Sequence, residues 1–293
     1  MSTRRLRPAR YSGFGWKLSN YLRQPSIFSS SWSGFSSVNM SSLSFVASCG
    51  GKEVPVTTEQ SVSDALANQS SKLTSFRPFS KWLSKMGTST QFQLQSIHVQ
   101  SVDVFSSGSI GFVKMTTKVV KRTGQGAKPV PGIVLLRGGS VAMFVVLQAE
   151  EDASEKYVVL VAQPRVPCAD MALLELPAGM IDDGTFSGAA ARELEEECGI
   201  TVSEEELEDL TPSGGPVLTS PGILDEEMRF YRVTKKMPRQ QIHDMQGRLG
   251  GLENEHINVV IVPYQQCATH PQVRDGKVFI ALGLDAVKSI EAN

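Results

Sequence analysis

Residues Leu173 to Ile200 read LLELPAGMIDDGTFSGAAARELEEECGI, and the rest of the chain is best read outward from them. An apolar run ends at Pro177-Ala178-Gly179 and an acidic, glycine-containing loop follows. The spacing then predicts a short helix carrying Arg192-Glu193-Leu194-Glu195-Glu196-Glu197 and stopping at Gly199. At about 100° per residue, Glu193, Glu196 and Glu197 fall within roughly a 100° arc, and Ala190, Ala191, Leu194 and Cys198 fill the neighbouring one. One face can be buried while the next offers three carboxylates. Like charges at i, i+3 and i+4 work against an isolated helix, so the cluster calls for a compensating partner. A hard divalent cation that takes oxygen ligands and also touches a substrate phosphate is such a partner. A solvated acidic face is the alternative for any Glu run.

The loop and helix together resemble the Nudix box, the loop-helix-loop signature of hydrolases that cleave nucleoside diphosphates linked to another moiety. The matching residues are Gly179, Arg192, Glu193, Leu194, Glu196, Glu197, Gly199 and Ile200. Gly184-Thr185 stands where the family has Gly-Glu, and one residue fewer separates the glycine from the arginine. That departure bears on the internal bracing of the loop rather than on metal ligands, and Asp182 or Asp183 is a candidate replacement.

Three further elements resemble the ADP-ribose and ADP-sugar pyrophosphatase branch of that family. Gln163-Pro164-Arg165 precedes Glu175-Leu176-Pro177-Ala178-Gly179, and the resemblance implies that Arg165 reaches the diphosphate, a task suited to its planar fork. Ser220-Pro221-Gly222-Ile223-Leu224-Asp225-Glu226-Glu227 resembles the SPGxxxE loop, which implies Glu226 as a candidate base. Gly251 to Ile257 followed by Val262-Pro263-Tyr264 resembles a late element of the branch. From Trp82 to Leu284, through Val130-Pro131-Gly132-Ile133-Val134 and Arg165-Val166-Pro167, the chain is most similar to the plant organellar ADP-sugar diphosphatases.

The resemblance implies an α/β/α sandwich with a mixed sheet, preceded here by an N-terminal β-hairpin extension, and an activity that turns ADP-ribose or ADP-glucose into AMP and a sugar phosphate. It implies Mg²⁺, with Mn²⁺ as the second candidate, held by Glu193 and Glu197 with Glu196 assisting and the Ala178 carbonyl as a neutral ligand. Metal ions clamping both phosphates would neutralise the charge that accumulates during attack at phosphorus. Arg165 would orient the diphosphate and Glu226 or a box carboxylate would deprotonate the attacking water. Glu175 is a substrate-binding candidate that could touch the distal ribose or a second subunit, or could equally be a solvent-facing strand end. Arg192 is read as structural. Hydrolysis of coenzyme A, NADH or an oxidised nucleoside triphosphate, and an inactive nucleotide-binding module, are the alternatives.

Composition agrees. The 293 residues are 41% hydrophobic and 20% charged, enough for one ordinary domain plus extra segments, and a net charge of −1 gives no reason to expect nucleic-acid binding. No apolar run is long enough to span a membrane. Cys49, Cys168, Cys198 and Cys267 lack CxxC spacing, which argues against a zinc site or a disulfide framework.

From Met1 to Lys52 there is no Asp or Glu, yet arginines and serines abound. Residues 1–52 are therefore read as an organellar transit peptide, with the early arginines placing the mitochondrion ahead of the plastid. Residues 53–75 are polar and read as a linker. Residues 76–128 hold a short helix near Pro78–Leu83 and two alternating segments, Leu94–Phe105 and Ile110–Val120, expected to form an antiparallel hairpin. Its Phe105, Ile110, Phe112, Val113 and Met115 are more apolar surface than a free arm should expose, and in the branch the corresponding strands help to form the partner's pocket. A C₂ homodimer is therefore expected. Residues 129–293 are assigned to the Nudix domain, with strands at 133–136, 140–147, 156–163, 173–176, 228–233 and 256–262, and helices at 240–249 and 277–292.

Overall fold

The computed structural model describes residues 42–123, 126–180, 186–251 and 257–291. The first layer comprises β1 (Ser44–Cys49), β2 (Lys52–Thr58), α1 (Gln60–Ala65), α2 (Ser70–Ser75), α3 (Arg77–Gly87), β3 (Phe92–Val104), β4 (Ile110–Thr123), β5 (Gly126–Val130) and β6 (Ile133–Leu136). The second comprises β7 (Ser140–Ala149), β8 (Lys156–Arg165), β9 (Asp170–Glu175), β10 (Ala178–Met180), α4 (Phe186–Cys198), β11 (Glu208–Asp209), β12 (Val217–Leu218), β13 (Glu227–Met237), α5 (Arg239–Asp244), β14 (Leu249–Gly250), β15 (Ile257–Pro263), α6 (Tyr264–Cys267) and α7 (Gly276–Glu291).

The expected hairpin forms as β3 and β4, antiparallel from Phe92↔Lys121 to Val104↔Ile110. It is not an arm. β2 adds to β3 in parallel, β1 pairs with β2, and β5 and β6 cover the other edge of β4, giving a six-stranded sheet. Val62, Leu73, Phe79 and Leu83 from α1–α3, and Leu66 just after α1, are buried in one core with Ile97, Val99, Val113 and Met115. Two of the apolar residues that motivated the homodimer, Val113 and Met115, are thus covered within one chain, whereas Phe105 stays 48% exposed.

The stretch read as a polar linker is folded: residues 53–75 carry most of β2 and all of α1 and α2. In β2, KEVPVTT buries Val54, Val56 and Thr58 on one face, a period-2 pattern. Pro55 argues against a paired strand, and it is tolerated because the parallel pairing to β3 starts only at Val56. β1, inside the segment read as a transit peptide, pairs with β2 from Ser44↔Thr57 to Cys49↔Lys52, so a boundary at residue 52 would cut a hairpin.

The second sheet has the order β11-β13-β7-β8-β15-β14, with β10 on β7, β12 on β13 and β9 on β8. β13 lies parallel to β7 over ten residues, Met228↔Ser140 to Met237↔Ala149, and the other pairings are antiparallel. Nine of the ten residues of β7 are buried, as a central strand covered on both faces requires. Val141, Met143, Val145 and Leu147 pack with Ala190, Leu194 and Cys198 of α4 and Ile242 of α5. Ala142, Phe144 and Val146 point the other way, to Val278 and Ala281 of α7 and Cys267 of α6. This is the expected α/β/α sandwich with a mixed sheet. Asp285 of α7 is buried because Arg232 Nη1 (2.5 Å) and the Tyr264 hydroxyl (2.6 Å) donate to it. The helix expected over 240–249 ends at Asp244, and Leu249–Gly250 runs on as β14.

One edge of β7 is shared. Val146–Gln148 pair with β8 and Ser140–Ala142 pair with β10, so β8 and β10 diverge towards the end of the sheet where β7 begins.

Candidate functional site

The divergent end of the sheet collects the residues that the sequence singled out. Arg165 closes β8, Glu175 closes β9 and Ala178 opens β10 beside Ala142. Glu226 immediately precedes β13, whose first paired residues lie beside Ser140. Glu193, Glu196 and Glu197 lie on α4, whose Leu194 and Cys198 are sunk into the core.

Glu197 is buried, and its Oε2 accepts the Ala178 N–H at 3.2 Å. This contact brings together the helix and the Pro-Ala-Gly entry, 19 residues apart in sequence. The C-terminal end of α4 is fixed from behind by β14: the Gly251 N–H donates to the Glu196 carbonyl at 2.8 Å, and a Cβ on Gly250 would stand 1.7 Å from the Glu197 carbonyl oxygen. Only glycine allows that approach. Glu196 and Arg192 are exposed. The Glu193 side chain, Asp182 and Asp183 and residues 252–256 lie outside what the structure describes. Among the described residues no group of three His, Cys, Asp or Glu side chains converges. Glu197 is thus a buried carboxylate on the side of α4 that meets the Pro-Ala-Gly entry, and carboxylate oxygens are the ligands a hard divalent cation takes.

Glu175 is 1% exposed, which rules out the solvent-facing strand end. Arg165 donates to it from Nε at 2.5 Å and from Nη2 at 3.1 Å, and Lys277 Nζ donates at 2.7 Å. Lys277 also lies 3.2 Å from Asp275. A buried carboxylate with two cations is a stable ion only in such company, and the bidentate fork fixes the plane of the Arg165 guanidinium. Burial disfavours the charged arginine, but its hydrogen bonds to Glu175 and the carboxylates of Glu175, Glu197 and Asp275 outweigh it, so the Arg165 pKa is raised. That coupling places Arg165 within the electrostatic reach of Glu197.

Glu226 is buried and held by three groups. Ser140 Oγ donates to Oε1 at 3.0 Å, Thr219 Oγ1 donates to Oε2 at 2.7 Å, and Arg137 Nη1 lies 3.2 Å from Oε1. The neighbouring Asp225 accepts the backbone N–H groups of Arg137 (2.7 Å) and Gly138 (3.2 Å). The segment that crosses between the two layers is therefore stitched to the loop that carries Glu226.

Sequence reasoning missed Arg137, Ser140, Thr219, Lys277 and Asp275. Lys277 lies 102 residues from the carboxylate it meets, and Arg137 and Ser140 lie 89 and 86 residues from theirs. The available signal was negative: a buried Glu at a strand end needs cations, and the chain does not say locally where they are.

A central sheet between helices, with an acidic helix laid against a Pro-Ala-Gly turn at its open end, is the arrangement of a Nudix domain, and residues 137–282 of this chain match the NUDIX domain family. The chain is 40% identical over 201 residues to Nudix hydrolase 14, chloroplastic, of Arabidopsis thaliana, over 65% of this chain and 62% of that protein. It is 42% identical over 71 residues to a nudix hydrolase 2 of Caenorhabditis elegans, over 24% of this chain and 29% of the other. The chain thus matches less than two thirds of the length of either relative. A crystal structure described as an ADP compounds hydrolase aligns at 19% identity with a TM-score of 0.45, covering 69% of this chain and 98% of that one.

Proposed function

We propose that the protein hydrolyses the diphosphate of ADP-sugars, ADP-ribose and ADP-glucose, to AMP and a sugar phosphate in a Mg²⁺-dependent reaction. The observation that carries this reading is the convergence, at one end of one sheet, of a guanidinium fixed by Glu175, a buried Glu197 beside Ala178, and a second buried carboxylate, Glu226, gripped by Arg137, Ser140 and Thr219. These are the parts that phosphoryl chemistry needs: cationic clamps, carboxylates for metal, and a base.

In this reading Glu193, Glu196 and Glu197 with the Ala178 carbonyl hold Mg²⁺ or Mn²⁺, which supplies charge neutralisation at the diphosphate and lowers the pKa of a bound water. Arg165 turns to the diphosphate the nitrogen that Glu175 does not engage. Glu175 acts through Arg165 and is a positioning residue. Glu226 takes the proton of the attacking water, and its hydrogen bonds from Ser140 and Thr219 aim the carboxylate. The chloroplastic relative supports a plastid over the mitochondrion as destination, with the acid-free leader as transit sequence. A reporter fused to residues 1–41 that stays diffuse in the cytosol would refute that assignment.

The function itself is tested by incubating the purified chain with ADP-glucose, ADP-ribose, NADH, coenzyme A and dGTP with and without Mg²⁺. AMP and sugar phosphate from the first two, dependent on the metal, are expected. Preferential turnover of coenzyme A or dGTP would refute the assignment.

A further inference from the structure

The segment that leads into α7 runs alongside β9. Val273 and Leu174 form a parallel bridge and share one core, so the residues after Val273 are carried past Glu175, the last residue of β9. Asp275 starts α7: its Oδ1 accepts the Lys277 N–H at 3.2 Å and its carbonyl accepts the Val278 N–H at 3.2 Å. With Val278 sunk into the core, Lys277 turns back onto Glu175 and its Nζ donates to Oε2 at 2.7 Å.

Four charges of alternating sign therefore stand in a row: Arg165, Glu175, Lys277 and Asp275. The row has one open end, because the Arg165 side chain is 39% exposed and those of Glu175, Lys277 and Asp275 are 1%, 16% and 12% exposed. A carboxylate that fixes an arginine also cancels part of the charge the arginine offers an anion. Lys277 opposes that cancellation. Oε2 of Glu175 accepts both Lys277 Nζ at 2.7 Å and Arg165 Nη2 at 3.1 Å, whereas Oε1 accepts Arg165 Nε at 2.5 Å. The guanidinium is thus gripped at Nε and held more loosely at Nη2. Asp275 acts the other way. Its Oδ2 lies 3.2 Å from Lys277 Nζ yet makes no hydrogen bond among the described residues, so its pull on the lysine is electrostatic alone, and its charge is felt as far as Arg165.

We propose that Lys277 is a positioning residue for the diphosphate: by occupying Oε2 and balancing the charge of Glu175, it keeps the Arg165 guanidinium both fixed and electrostatically available to the substrate. The proposal rests on the ADP-sugar reading for what Arg165 binds, and adds that the start of the last helix sets the strength of that contact. Lys277 and Asp275 oppose each other in this role. Removing the lysine leaves Glu175 to claim Arg165 undivided, so the diphosphate must compete for it; removing the Asp275 charge leaves Lys277 wholly to Glu175.

The test is calorimetric binding of a non-hydrolysable ADP-ribose, with a methylene bridge between its phosphorus atoms, to the full-length chain in Mg²⁺. Lys277→Met should weaken binding by at least about fivefold, the low end for coupled groups, and Lys277→Arg, which keeps the charge and the reach, should restore most of it. Asp275→Asn keeps the Oδ1 cap on α7 and should leave binding unchanged or tighter, whereas a merely structural role predicts a loss in both variants. In a Glu175→Gln background Lys277→Met should have no further effect, because Lys277 acts through Glu175. In turnover of ADP-glucose the Lys277→Met loss should fall on KM rather than on kcat. Parent-like binding by Lys277→Met, an equal loss in the Glu175→Gln background, or weaker binding by Asp275→Asn would each overturn the proposal, and the last decides it even where Lys277→Met fails to fold. Binding that follows the expected order in a chain that leaves ADP-sugars uncut would sink the hydrolase reading and leave the role of Lys277 standing. Mg²⁺-dependent cleavage with an unchanged KM in Lys277→Met would do the reverse.

Discussion

Replacing Gly250 by alanine isolates the contact on which the placement of α4 depends. The added Cβ would lie 1.7 Å from the Glu197 carbonyl oxygen and 2.6 Å from its carbonyl carbon, both backbone atoms that no rotamer change can move. Reaching ordinary contact at 3.4 Å needs a withdrawal of about 1.7 Å, enough to break the adjacent 2.8 Å bond from Gly251 to the Glu196 carbonyl. One lost hydrogen bond costs about 1 kcal/mol and an overpacked contact about 1–3 kcal/mol, so a loss of about 2–4 kcal/mol is expected. For a domain of this size that lowers Tm by roughly 5–12 °C. Because the displaced residue is Glu197, Mg²⁺-dependent turnover should fall even at temperatures where the variant is folded. Gly283→Ala is the control: it sits exposed within α7 with nothing within 4 Å of a new Cβ, and helix propensity makes it stabilising by about 0.5–1 kcal/mol. Calorimetry that finds Gly250→Ala as stable as the parent would refute the packing argument.

Glu197→Gln keeps the volume and removes a charge, so Mg²⁺-dependent hydrolysis should fall by about 10²-fold or more with the circular dichroism spectrum unchanged; near-normal activity would remove Glu197 from the metal set. Asp285→Ala strips Arg232 and Tyr264 of a buried acceptor and should cost about 2 kcal/mol in urea unfolding, below the full penalty for a broken buried pair because Arg232 keeps Glu208; Asp285→Asn should cost less. In the native chain at pH 8 a maleimide should label exposed Cys168 before buried Cys49, Cys198 and Cys267, the Cys267 thiol being pushed up to about 11 by burial, and mass spectrometry of tryptic peptides would show otherwise if the burial is wrong. The carboxyl of Glu206 is held below 4.5 by its hydrogen bond from Lys235 and by the Ser203 backbone N–H. A depressed folded pKa stabilises above the unfolded value and is lost as pH falls through the folded one. The Tm gap between the parent and Glu206→Gln should therefore be present at pH 7 and close below pH 4.5; a gap that widens in acid would refute it.

The second layer was legible because its signals are local. SVAMFVVL and KYVVLVAQ are short β-branched runs between turn signals. The carboxylates of the site were visible for the same reason, since α4 puts them on neighbouring turns. Their partners were not, because the β13–β7 and β15–β8 pairings bring Arg137, Ser140 and Lys277 to the site by topology alone. In the first layer the β3–β4 hairpin was legible, but β1 and β2 escaped because serine and threonine dilute their apolar period and Pro55 interrupts β2. α1 and α2, six residues each, are too short to show a helical face and are held by packing rather than propensity.

The position of β8 carries a consequence for synthesis. Val158 to Ala162 is a run of β-branched and aliphatic residues whose second edge is covered only by β15, Val158 meeting Val262. The hundred or so residues between them take roughly 5–20 s to translate at about 5–20 residues per second. During that interval a nascent chain displays a bare, sticky strand edge of the kind that seeds aggregates. The yield of soluble protein should therefore respond to translation speed and chaperone supply more than to equilibrium stability, and slowing translation between codons 165 and 257 should lower it.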